Sequence, residues 1–413
     1  IMKRSRFRMS DLHLLSPLGF KASAVYAGIK TKQTPDVGLL VCDTIASAAA
    51  VFTTNKVFAA PVKIGREHVA QGKLRGVVVN SGNANACTGK QGERDAISMC
   101  ATAAKLVGCE AREMLPSSTG IIGHLMPMEK VTAGIHAAAA DLGNSEGHAL
   151  KFADAILTTD LTRKSEAVEV EIGKQRVRIA GVCKGSGMIG PRMTLHAPPH
   201  ATMLAYLTTD AKVAPPLLRK LLAKACAGSF NAVTVDDHMS TNDTAALLAS
   251  GASGAVVSTA KEIERFSGAL EEVCESLAYQ IAADGEGATK VVAITVTSAA
   301  SEKAAKAIAR AIANSPLVKC AMHGNDPNWG RIVSAAGLCG VPFDADRCQL
   351  TLQGTAVFRR GRPLVIDAAA LSKQMDAKEV QVHLSCGLGE GKATVWTCDL
   401  SREYITINAD YHT

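Results

Sequence analysis

Lys184–Asp210 reads KGSGMIGPRMTLHAPPHATMLAYLTTD. Its first residues decide which kind of α/β protein this is. Gly185–Gly190 spells G-x-G-x-x-G after a strand-like run, and Asp210 stands about 20 residues on, where a ribose-binding acid would be. A dinucleotide turn, however, must open a helix, whose N-terminus receives the pyrophosphate. Here Pro191 follows at once, and His196-Ala197-Pro198-Pro199-His200 continues as a loop. The match is literal, and the context is wrong for a doubly wound sheet.

On either side of this stretch, strands and helices alternate without a strict βαβ beat, which points to layered α/β (α+β) architecture. Gly38–Ala50 and Arg75–Val79 read as buried strands. Ala167–Glu171 and Arg176–Cys183 alternate about Gly173 as a hairpin. Apolar residues at helical spacing mark Glu93–Val107, Glu129–Asp141, Glu146–Ile156, Pro215–Cys226, Lys261–Ala283 and Glu302–Asn314. Lys290–Thr297, Arg347–Leu352, Thr394–Thr397 and Tyr404–Ile407 read as later strands. A seam near residue 295 divides a main unit, residues 10–295, from a smaller C-terminal α/β domain, residues 296–413.

The chain has 413 residues, 47% hydrophobic and 20% charged, enough for a large core. No apolar run reaches the ~18 residues of a membrane span, and no signal-peptide pattern is present. The opening Ile1–Ser10 carries Lys3, Arg4, Arg6 and Arg8. It reads as a tail or an upstream start, with Met9 as a second initiator, or as a short organelle-targeting segment. Twelve cysteines are scattered without C-x-x-C or paired metal spacing, so they are expected as reduced cytosolic thiols in small core spaces. The net charge of +7 forms no basic stripe with interleaved aromatics, so nucleic acid is not an expected partner. No H-E-x-x-H or Walker loop occurs, and no metal is expected.

Ala201-Thr202-Met203-Leu204 carries the chemistry. If the bond before Thr202 breaks, Thr202 holds a nucleophilic hydroxyl and a free α-amine titrating near pH ~7.7–8.0. Three polar loops accompany it. Asn80-Ser81-Gly82-Asn83-Ala84-Asn85-Ala86 reads as a self-satisfied turn. Ser117–Gly123 is either a plain tight turn or a loop aiming a hydroxyl and a backbone N–H at one point, as an oxyanion hole requires. Asp284–Lys290 places Glu286 between two glycines.

Together these segments resemble the glutamate N-acetyltransferase family, also called ornithine acetyltransferase, of arginine biosynthesis. The resemblance runs from about Leu18 to Thr413. It includes NSGNANACTG at 80–89, STGIIG at 118–123, MPMEK at 126–130, Lys184–Ile189, Ala201–Ala211 and FNAVTVDDHMSTNDT at 230–244. It continues through Asp284–Lys290, Asn314–Lys319, His323–Arg331 and Ile407–Tyr411. The resemblance implies an αββα-type sandwich whose C-terminal tail returns to the site. It implies self-cleavage between Ala201 and Thr202, giving chains of residues 1–201 and 202–413 in an α2β2 assembly. Thr202 would take the acetyl group of N2-acetyl-L-ornithine and pass it to L-glutamate by a ping-pong mechanism. Thr119 and Gly120 match the oxyanion positions, and Thr158, Lys184, Thr202, Glu286, Asn408 and Thr413 the substrate-binding positions. No metal or organic cofactor is implied, a cytoplasmic location is, and use of acetyl-CoA as a co-substrate stays open.

Three features depart from the family pattern. Thr194–His200 is an insertion of about seven residues ahead of the scissile bond, which would relax the turn that drives an N→O acyl shift. Leu161 ends the Thr158-Thr159-Asp160 run, and Asp237-His238-Met239 replaces the commoner Gly-Asp-Thr. Two other readings fit the same residues. One is an amidase or aminopeptidase of the same self-processing class, and the other an uncut, non-catalytic assembly or binding protein.

Overall fold

The computed structural model describes residues 12–194 and 203–410. One eight-stranded sheet contains β1 (Phe20–Val25), β2 (Val37–Phe52), β3 (Lys73–Asn83), β4 (Met114–Ile121), β5 (Lys164–Ile172), β6 (Gln175–Lys184), β7 (Leu204–Thr209) and β8 (Thr244–Ala249). Its order is β4-β3-β2-β8-β7-β6-β5, with β1 also on β2. The long β2 pairs through Val37–Val41 with β1 and β3, and through its second half with β8. A register shift separates the two halves between Val41 and Ala46, and such an irregularity bends a strand.

Alternation along the strands builds the layers. Leu40, Val77 and Leu115 share one core with Leu204, Tyr206 and Leu248 from the other half of the sheet. The intervening residues Leu39, Val41 and Val78 pack outward against the helices Gly89–Val107 and Met128–Ala140. On the opposite outer face, Ala205, Leu207 and Leu247 pack on the helices Pro215–Gly228 and Ala260–Ala283. The result is helix, sheet, sheet, helix, as the αββα expectation requires. Each fully buried Val, Leu, Ile, Phe or Met side chain stabilises this stack by about 1.5–3 kcal/mol.

The hairpin read about Gly173 is present. Ile172 pairs with Gln175, and Gly173 takes φ +63° in the two-residue turn. The expected long helix runs Ala260–Ala283, opened by a capping box between Thr259 and Glu262.

A six-stranded sheet completes the chain: β9 (Val291–Ala299), β10 (Gln349–Leu352), β11 (Thr355–Arg359), β12 (Arg362–Pro363), β13 (Glu379–Ser385) and β14 (Gly391–Cys398). Its order is β12-β11-β10-β13-β9-β14. Residue 295 lies inside β9, and the changeover between sheets comes in the turn before Val291. Tyr404–Ile407, read as a strand, is part of the helix Arg402–Asp410. Its β-branched residues suggested a strand, yet among the described residues no strand pairs with it. Ser401 instead caps the turn, accepting from the Glu403 N–H at 3.1 Å. No helix among the described residues is long and apolar enough to cross a membrane.

Candidate functional site

The loop after β6 is the centre of a buried ionic network. Lys184 ends β6, 4% exposed, with its ammonium 3.9 Å from Asp160. Asp160 also accepts from the Gly185 N–H (2.7 Å), the Thr158 N–H (3.1 Å) and the Lys164 ammonium (2.7 Å). Lys164 reaches a second carboxylate, Asp284, at 2.5 Å. Burial alone would raise the Asp160 pKa, but Lys184, Lys164 and the Gly185 N–H hold it at about 2. Burial likewise disfavours the Lys164 charge, and Asp160 and Asp284 overcome it.

Glu286 enters from the opposite side of the same loop. Its N–H donates to the Ser186 carbonyl at 3.1 Å, and the Ser186 hydroxyl donates to the Asp284 carbonyl at 2.7 Å. The Glu286 carboxylate lies against Gly187, where a β-carbon would collide with it. Glycine is therefore required at 187 for that approach. Asn408, on the helix Arg402–Asp410, donates to Glu286 at 2.9 Å. Tyr404, one turn earlier, donates to Asp236 at 3.4 Å. Asp236 also accepts from Met188 (2.7 Å) and Ile189 (2.9 Å), so it fixes the loop and the C-terminal helix together.

Thr119 and Gly120 lie at the end of β4, in parallel register with Ser81 and Gly82 of β3. Ser117–Ile121, read as loop, is strand because that pairing satisfies its backbone. Gly120 has φ +131°, and a β-carbon there would strike the backbone of Gly82 and Asn83. Gly82 in turn lies against the Lys30 stem, and the Lys30 ammonium donates to the Leu157 carbonyl (3.1 Å), next to Thr158. Burial lowers the Lys30 pKa to about 8 against the pull of Asp36, Asp154 and Asp160. The Asn-rich stretch, read as a self-satisfied turn, is in part the end of β3 and is braced from outside: Asn80 donates to the Asn83 carbonyl, but it accepts from Ser118, Ser81 donates to the Ala155 carbonyl and Asn83 to the His124 carbonyl.

Thr158, Lys184, Glu286 and Asn408 are thus drawn into one network, with Thr119 and Gly120 linked to it through Gly82 and Lys30. Ala201, Thr202 and Thr413 lie outside the described residues. Of the insertion, Thr194 pairs with Phe52 and the rest is likewise outside. Asp237, one of the departures, pairs with Arg192 at 3.0 Å. Leu161 points to solvent, 84% exposed, while its N–H donates to Asp284 at 3.1 Å, so the substituted side chain leaves the network intact. Sequence reasoning missed Asp160, Lys164, Asp284 and Asp236 as site residues. The i, i+4 spacing of Asp160 and Lys164 was the one local signal for any of them.

The fold and this network define a layered α/β protein with a buried cluster of both charges at the strand ends. Residues 21–413 match the model of the ArgJ family. An arginine biosynthesis bifunctional protein ArgJ from Rhodopirellula baltica is 45% identical, over 97% of each chain. That of Dehalococcoides mccartyi is 44% identical over the whole of both. A crystal structure of ornithine acetyltransferase complexed with ornithine, from Mycobacterium tuberculosis, is 32% identical. The match covers 44% of this chain and 96% of that one, with a TM-score of 0.40. The chain belongs to the ArgJ family.

Proposed function

We propose that this chain, an acyltransferase of arginine biosynthesis, moves the acetyl group of N2-acetyl-L-ornithine to L-glutamate through an acetyl ester on Thr202. The carrying observation is the pairing of opposite charges around one loop, Lys184 on one side and Glu286 on the other, 4% and 8% exposed. Lys184 and Thr158 would meet the substrate carboxylate, and Glu286 with Asn408 the side-chain ammonium of ornithine. Near-full-length relatives named for arginine biosynthesis support the reading.

The chain first cuts itself. The Thr202 hydroxyl attacks the Ala201 carbonyl, the C–N bond breaks, and the departing nitrogen takes the hydroxyl proton. Water then cleaves the ester, leaving residues 1–201 and 202–413. In the first half-reaction Thr202 Oγ attacks the acetyl carbonyl. Its proton passes through the free α-amine to the leaving nitrogen of ornithine. In the second, the glutamate amine attacks the ester, the C–O bond breaks, and the threonine hydroxyl regains its proton. Thr119 and Gly120 would hold the oxyanion of each step, and Thr413 would close the substrate side. Acetyl-CoA is a second donor to the same hydroxyl in this reading, in keeping with relatives named bifunctional. The reaction itself calls for no metal or organic cofactor. An α2β2 assembly in the cytoplasm completes the proposal.

Thr202→Ala is expected to leave the chain uncut by intact mass and to abolish transfer. Normal transfer by that variant would end the assignment. Hydrolysis of N-acetylornithine by the native protein with no acetyl passed to glutamate would favour an amidase instead.

A further inference from the structure

The proposed reaction brings two unlike side chains to one site. Ornithine ends in an ammonium, which Glu286 attracts, whereas glutamate ends in a carboxylate, which Glu286 repels. Taking glutamate therefore calls for a cation free to meet that second carboxylate. Lys184 and Lys164 are committed, since both pair with Asp160 and Lys164 also pairs with Asp284.

Lys30 is not committed in this way. Among the described residues its half-buried ammonium makes one hydrogen bond, to the neutral Leu157 carbonyl at 3.1 Å, and no carboxylate pairs with it. The three carboxylates whose charge bears on it, Asp36, Asp154 and Asp160, are each taken. Asp36 accepts from the N–H groups of Ala27 (2.6 Å), Ile29 (2.7 Å) and Lys30 itself (3.0 Å). Asp154 holds Arg163 at 2.8 Å, and Asp160 holds Lys164 at 2.7 Å. Desolvation without a counter-ion, with Lys32 adding to it, brings the Lys30 pKa down to about 8. An ammonium has three N–H donors, so two are left over.

The place of Lys30 is set at both ends. The Asp36 clamp fixes its backbone, and its stem lies against Gly82, where a β-carbon would meet Lys30 Cγ at 3.0 Å. Gly120, one of the oxyanion positions, packs on the other side of Gly82. The ammonium reaches the carbonyl just before Thr158, a substrate-binding position. Lys30 thus runs from the oxyanion side of the network to its substrate side.

We propose that Lys30 is a specificity-determining residue, which binds the side-chain carboxylate of the acceptor glutamate through its two remaining N–H groups. The inference rests on the transferase reading above and deepens it: Glu286 selects the ammonium of the donor, and Lys30 the second carboxylate of the acceptor. The bound carboxylate supplies the missing counter-charge and raises the Lys30 pKa. Only the charged lysine binds, so glutamate is held well below about pH 8 and more weakly above it.

The test compares two acceptors of the acetyl group: glutamate, and isotopically labelled ornithine, which forms labelled N-acetylornithine by exchange. Lys30→Met is expected to raise the KM for glutamate about 10–100-fold more than the KM for ornithine, the loss of one charge-assisted hydrogen bond. In the native protein the ratio of the two KM values should be level between about pH 6.5 and 7.5 and climb above about pH 8. Lys30→Arg, charged throughout this range, should keep the ratio level. A native ratio that stays level to about pH 9 overturns the assignment, even where Lys30→Met fails to fold. Equal rises for both acceptors in Lys30→Met also overturn it, and leave Lys30 as a brace for the Leu157 carbonyl. A native protein that passes acetyl to neither acceptor defeats the transferase reading and this residue with it. Normal transfer with an unshifted ratio defeats this residue alone.

Discussion

Asp160 ties together more of the site than any residue chosen from the sequence, since Thr158, Lys164, Lys184 and Gly185 all converge on it. Replacing it with Asn would leave Lys184 buried without its counter-charge. We expect Asp160→Asn to cost about 3–5 kcal/mol in urea unfolding at neutral pH, as breaking a buried pair does. Because the folded pKa lies near 2, below the ordinary carboxylate value, this stabilisation is complete above roughly pH 4 and lost as pH falls towards 2. The stability gap between native and variant should therefore narrow across that window. A gap that stays constant from pH 5 to pH 2.5 would contradict the assignment. Asp160 was hidden in the sequence because its partners Lys184 and Gly185 lie on the far side of the β5–β6 hairpin. No spacing rule reports a contact made through a sheet.

At the scale of elements, strong periodicity was the legible part. Ala260–Ala283 and the β5–β6 hairpin came through because the apolar pattern there agrees with local capping and turn chemistry. The C-terminal segment did not. Within Tyr404–Ile407 the residues are half-buried or exposed, no residue of its helix is buried, and burial could not arbitrate between strand and helix. The helix matters because it sets Tyr404 and Asn408 on one face, four residues apart, against Asp236 and Glu286. Asn408→Ala should therefore raise the KM for N-acetylornithine roughly tenfold, about 1–1.5 kcal/mol for one lost hydrogen bond, with melting temperature unchanged. A variant that melts earlier but binds normally would make the contact structural. At the end of β4, Gly120→Ala should strain the backbone against Gly82. Its expected cost is about 1–3 kcal/mol, with transfer lost before the fold is, as checked by parallel assays and circular dichroism.

Across the whole molecule, two cores meet at one strand, with Val291 of β9 in the sandwich core and Val292 in that of the second sheet. Lys319, 5% exposed, bridges the same seam by donating to the Val235 carbonyl (2.7 Å) and the Thr397 hydroxyl of β14 (3.1 Å). Lys319→Ala should destabilise the protein by about 1–3 kcal/mol per acceptor left unserved, seen as a lower urea midpoint. The layered plan was legible from the wrong context of a glycine motif and from the alternation of elements. The assembly of the site was not, because its groups come from β4, the ends of β6 and of two helices, and the C-terminal helix, and only packing brings them together. The proposed reaction turns on Thr202 carrying the acetyl group. The most direct test is mass spectrometry of the protein after incubation with N-acetylornithine alone. We expect one acetyl group on the peptide that begins at Thr202, discharged when glutamate is added. Steady transfer of acetyl to glutamate with that peptide never acetylated, or with the acetyl group on another residue, would contradict the account.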